Sequence, residues 1–140
     1  GSYRCDYWKR VSRDRRRMFG ENSHTQIKHI KDGTSNTIAV CETMFDVSNG
    51  ECSAWGYRGW VMVGVSVSRP INWWQDWFVH GPRRSQLAFW GTPGSLHPGG
   101  CFMMMGDGSV HFFTEDTDTV LLRALATISG SELVKFPPDP

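Results

Sequence analysis

The chain has 140 residues, of which 39% are hydrophobic, with seven Trp and eight Phe. That is enough apolar mass for one folded domain and excludes a disordered chain. A formal charge of +1 excludes a strong overall pull toward nucleic acid or acidic lipid.

The charge is uneven. Residues 1–20 carry seven basic side chains against two acidic ones, and the remainder carries eight against twelve. Arg4, Lys9, Arg10, Arg13, Arg15, Arg16 and Arg17 are mixed there with aromatics. Such a segment can bind polyanions, but the plainer expectation is a solvated strand or short helix with Tyr7, Trp8, Val11 and Phe19 turned inward. Residues 22–30 hold Ile27 and Ile30 three apart, which suits one helical turn or an edge strand. Asp32, Gly33, Thr34, Ser35, Asn36 and Thr37 then form a dense run of turn residues. Their side chains suit local backbone bonding, so a self-satisfied turn is expected rather than a cation or hydroxyl site. Ile38–Cys41 follows as a buried strand.

Asn49-Gly50 marks residues 44–53 as a loop. Residues 57–67, YRGWVMVGVSV, alternate as the longest strand candidate, closed by Pro70. Residues 71–94 crowd Trp73, Trp74, Trp77, Phe78, Phe89 and Trp90 between Gly and Pro. Buried, these rings supply core. Exposed, Trp73, Trp74, Trp77 and Trp90 could stack on sugar rings, with Asp76 and Arg83 as hydrogen-bonding groups. A polysaccharide is the ligand of that alternative reading.

His97 to Thr114 reads as a hairpin at the centre of the fold. The continuous apolar run Cys101 to Met105 predicts a strand covered on both faces, and Gly106-Asp107-Gly108 suits a two-residue turn. Residues 115–129 predict a helix, with Asp116 or Thr117 as N-cap and Val120, Leu121, Leu125 and Ile128 on its buried face. Residues 131–136 are a candidate last strand.

The cysteines, Cys5, Cys41, Cys52 and Cys101, contain no C-x-x-C pair, which argues against a zinc ribbon or a thioredoxin-like motif. An even count allows two disulfides in three connectivities. Cys41–Cys52, across a ten-residue connection, is the favoured pair, which leaves Cys5–Cys101. No segment approaches the ~18 apolar residues of a membrane span. Gly1-Ser2 reads as an expression remnant, so a native leading segment is expected ahead of residue 3.

No nucleophile elbow, phosphate loop, H-x3-H or H-E-x-x-H spacing is present, so no catalytic residue is nominated. His97 and Asp107 flank opposite ends of one strand and are not expected to pair. His97 is expected to bond a backbone carbonyl or cap a strand, and Asp107 to shape its turn. Glu115, Asp116 and Asp118 offer a weak calcium possibility without the twelve-residue loop pattern. No other cofactor is expected.

Two stretches carry a resemblance. IKDGTSNTIAVCE, residues 30–42, and His97 followed after nine intervening residues by Asp107-Gly108 resemble the signatures of a planctomycete prepilin-like family, domain of unknown function 1559. The residues carrying it are Asp32, Gly33, Thr34, Ser35, Asn36, Thr37, His97, Asp107 and Gly108, and the similarity extends over about residues 18–136. Cys41 stands where that family commonly has Gly, which favours a disulfide particular to this chain. The resemblance implies an α+β fold: a mainly antiparallel β-sheet head with one C-terminal helix, pilin-like, its hydrophobic N-terminal helix absent. It implies display outside the cytoplasm, membrane anchoring only through that helix, and partners among pilin-like subunits or cell-surface components, with no nucleic acid and no catalysis. A solute-binding role is a third, weaker implication of the family label.

Overall fold

The computed structural model describes residues 12, 15–19, 23–43, 65–73 and 92–130. Among the described residues the elements include the 3-10 turns Ile27–His29 and Thr34–Asn36, then strands β1 (Ile38–Cys41), β2 (Gly100–Met105) and β3 (Val110–Thr114), and helix α1 (Thr119–Leu125). The strands form one antiparallel sheet in the order β1-β2-β3. This is an α+β arrangement, as the sequence predicts.

β2 is central, but it is not covered on both faces. Cys101, Met103 and Met105 point into the core, while Phe102 and Met104 stay partly exposed. The run is apolar on both sides because the outer face is itself apolar, not because it is enclosed. β1 is likewise only half-buried rather than buried, with Val40 52% exposed. Across β2, Cys101 pairs with Phe113 and Met103 with His111 on the inner face, and Phe102 pairs with Phe112 and Met104 with Val110 on the outer one. The inner side chains join Val67, Ile71, Leu122 and Leu125 in the core.

The hairpin loop has three residues, not two. Met105 N–H donates to the Ser109 carbonyl at 2.8 Å and Gly108 N–H donates to the Met105 carbonyl at 3.0 Å. Gly108 sits at φ +88°, so a turn over 106–107 is followed by a left-handed residue, the usual three-residue hairpin. Gly106 has its own constraint: a Cβ there would press on the Met18 side chain and crowd the Thr34 carbonyl.

The predicted helix is shorter than expected. Residues 115–118 are turn, and Asp118 rather than Asp116 or Thr117 is the N-cap, its Oδ1 accepting from Val120 N–H at 2.8 Å. The buried face is Leu122, Ala124 and Leu125, whereas Val120 is 67% exposed. Starting at residue 119 places Val120 in the first turn, away from the sheet. Phe19, expected inside, is 65% exposed, and its neighbour Met18 is buried instead. Of the long strand expected at 57–67, residues 65–67 are not strand, and Val67 starts a turn while packing into the core. Residues 3–11, 44–64, 74–91 and 131–136, with the elements expected there, lie outside the described residues.

The Asp32 to Thr37 loop is more than a self-satisfied turn. Locally, Asn36 Nδ2 donates to the Asp32 carbonyl and Thr37 Oγ1 to the Gly33 carbonyl. Its remaining groups reach far along the chain. Gly106 N–H donates to the Thr37 carbonyl at 2.8 Å and Asp107 N–H to the Thr34 carbonyl at 3.2 Å. Lys31 N–H donates to the Ile128 carbonyl at 2.6 Å, and Gly130 N–H to Asp32 Oδ2 at 2.7 Å. Ile128 N–H in turn donates to the Arg16 carbonyl at 2.8 Å. The loop thus fastens the hairpin tip to the segment that follows α1.

Cys41 and Cys101 are free thiols; their expected partners, Cys52 and Cys5, lie outside the described residues. Cys101 lies in the core cluster and Cys41 packs against it, partly buried. Burial pushes each thiol up to about 12, and Glu42 adds to the effect.

Two outcomes follow from this packing. In native protein at pH 8, Cys101, with no exposed surface, should react with a thiol reagent only at the rate of unfolding, and promptly in denaturant. Thr37 is fully buried and its hydroxyl serves the Gly33 carbonyl at 3.0 Å. Thr37→Val, which keeps the shape, should cost about 1–3 kcal/mol in denaturant unfolding.

Candidate functional site

The outer face of the sheet gathers Val40 from β1, Phe102 and Met104 from β2, and Val110 and Phe112 from β3, all exposed. The register makes them neighbours: Val40 opposes Met104, Met104 opposes Val110, and Phe102 opposes Phe112. The Phe102 and Phe112 rings meet edge to face at 5.1 Å. A contiguous exposed apolar patch is the usual mark of a contact surface.

One end of this face carries a polar pair. Glu42 follows β1, and its backbone carbonyl is taken by Gly94 N–H at 3.0 Å. The Phe102 N–H opposite therefore bonds the side chain, donating to Glu42 Oε2 at 2.7 Å. Glu42 Oε1 lies 3.6 Å from His97 Nε2, with the two side chains 38% and 53% exposed. The His97 ring stands edge-on to Phe102 at 5.1 Å, and its backbone N–H donates to Ser95 Oγ at 3.0 Å. Instead of the backbone carbonyl expected from sequence, His97 faces a carboxylate. The run IAVC ending in a charged Glu42 was the available signal: an acid at the end of an apolar strand.

At the other end of β2, Asp107 Oδ1 accepts from Ser109 N–H at 2.9 Å and from Ser109 Oγ at 2.7 Å. These bonds, the hydroxyl first, hold the Asp107 carboxyl below its ordinary value of 3.8. His111 Nε2 lies 3.0 Å from Ser109 Oγ. Because the Ser109 proton goes to Asp107, His111 is left to donate to the hydroxyl, the reverse of a nucleophile activated by a histidine base. His97 and Asp107 remain apart, separated by the six residues of β2, about 20 Å of strand.

Among the aromatics nominated for sugar stacking, Trp73 is half-buried with the Arg69 guanidinium 4.4 Å above its ring, so one of its faces is already occupied. Trp74, Asp76, Trp77, Arg83 and Trp90 lie outside the described residues. Asn72, in the left-handed region at φ 54°, ties this segment down. It donates to Glu115 Oε1 at 2.6 Å and accepts from Ser95 N–H at 2.9 Å. Glu115 is thus engaged with Asn72 and Asp118 with its helix; among the described residues no group of three or more His, Cys, Asp or Glu gathers to hold a metal. No helix among the described residues is long and apolar enough to cross a membrane.

An antiparallel sheet backed by a short helix, with the Asp32 to Thr37 loop against an Asp-Gly hairpin, is the class of domain these residues define. A family model described as "Protein of unknown function (DUF1559)" matches residues 1–119, and the chain belongs to that family. No curated protein and no solved structure matches it.

Asp107 gives a pH test. Its folded value lies below the unfolded one, so its contribution is present above the ordinary 3.8 and is lost as pH falls through the acid range. Asp107→Asn should flatten the acid limb of a melting-temperature profile while lowering the value at neutral pH.

Proposed function

We propose that this chain is an extracytoplasmic, pilin-like interaction domain without catalytic activity. The outer sheet face is its contact surface for other copies of the chain. The observation that carries the reading is the apolar continuity of Val40, Phe102, Met104, Val110 and Phe112 across all three strands. The core does not use these side chains, since each strand sends its alternate residues inward. Leaving five large apolar groups in water is costly, at about 25 cal/mol per Å² of surface, and covering them returns that free energy to an association. Family membership and the two sequence signatures support the pilin-like part of the reading and, with it, display outside the cytoplasm and anchoring through a separate segment.

Sedimentation across a wide concentration range tests it. The wild-type chain should associate reversibly. Val110→Lys combined with Val40→Lys should weaken association at least about tenfold while leaving unfolding stability within about 0.5 kcal/mol, as exposed positions do. A wild-type chain that stays monomeric throughout, or a variant that associates equally well, would overturn the reading.

A further inference from the structure

We infer that Glu42 and His97 together form a binding site for a divalent transition-metal cation of the zinc class, with water completing the coordination. A carboxylate oxygen and an imidazole nitrogen are a borderline donor set, suited to Zn(II), Ni(II) or Cu(II) and poorly suited to calcium.

Spacing is the first argument. At 3.6 Å the Glu42 Oε1 to His97 Nε2 separation is too long for a hydrogen bond. Two donors bound to a tetrahedral zinc at about 2.0–2.2 Å stand roughly 3.4 Å apart. The pair is therefore already within a few tenths of an ångström of the separation such an ion requires.

Preorganisation is the second. Metal ligands work best when neighbouring groups hold them. Glu42 Oε2 is fixed by Phe102 N–H at 2.7 Å, which leaves Oε1 turned toward the imidazole. The Phe102 ring sets the His97 plane, at 86° between the two rings. Ser95 Oγ holds the His97 backbone and is itself anchored by donating to the Gly100 carbonyl at 2.7 Å. Two segments distant in sequence, residue 42 and residues 95–102, thus converge on one oxygen and one nitrogen.

Access is the third argument. Both side chains are open to solvent, so an ion can arrive with water in its remaining positions. With two protein donors, affinity is modest and selectivity follows the imidazole. Of the carboxylates at the α1 side, Glu115 is held by Asn72 and Asp118 by the helix cap.

Zinc chloride added to the full chain, followed by NMR of the histidine ring protons and by calorimetry, tests the assignment. One ion should bind saturably, with the His97 signals moving and those of His24, His29 and His111 left in place. Glu42→Gln keeps an oxygen for Phe102 N–H, and His97→Ala removes an exposed ring; each should weaken zinc binding at least about tenfold. Zinc that leaves the His97 signals unmoved, or binds both variants as tightly as wild type, would refute the site and point to other histidines or thiols.

Discussion

The arrangement depends on backbone hydrogen bonds made by one loop. Between Lys31 and Thr37, N–H groups and carbonyls that a strand or helix would satisfy internally are instead given to the hairpin tip and to the chain after α1. Thr37, with no exposed surface, is the pivot. Its carbonyl takes Gly106 N–H, and its hydroxyl serves the Gly33 carbonyl and approaches that of Thr127 at 3.4 Å. Small polar residues suit this position because each can satisfy a buried polar backbone group without adding bulk. The glycines have separate reasons: Gly33, at φ +93°, opens the turn, and Gly106 lets Met18 and Thr34 approach.

Much of the architecture was legible in the sequence, because it rests on local chemistry. The apolar run at 101–105, the Asp-Gly turn and the Ile38–Cys41 strand all appear where the pattern places them. What pattern could not give were the quantities set by distant partners. Whether β2 is covered on one face or two depends on what packs outside it, and a wholly apolar run reads the same in both cases. The helix cap is Asp118 rather than Asp116 or Thr117 because three residues able to cap stand in a row and the burial of Leu122 decides among them. Spacing along the chain likewise says nothing about which face a cysteine turns to. Phe19 turns out and its neighbour Met18 turns in, since sequence gives no means of telling which of two adjacent apolar residues faces in.

The candidate site was legible in its residues but not in its geometry. His97 stood out by its signature, and Glu42 by ending a strand, yet sixty residues separate Glu42 from Phe102, the group that links the two. The local cause is a substitution of acceptors. Gly94 takes the Glu42 carbonyl, so the sheet's next bond falls to the carboxylate, and the side chain is drawn back along the strand toward the imidazole. A change of acceptor just past β1 thereby positions a charged group beside an aromatic surface.

The loop's fastening also bears on how the chain reaches its fold. The bond from Gly130 to Asp32 spans 98 residues, and that from Thr37 to Thr127 spans 90. Contacts so distant in sequence raise relative contact order, and folding rates fall as it rises. During synthesis the first signature emerges with its partners still unmade, and it must wait for nearly the whole domain. Until then the apolar strands are exposed without their closing bonds, when association with neighbouring chains is easiest. A domain closed this way gains its cooperativity late, and its vulnerable interval is the time taken to complete the last segment.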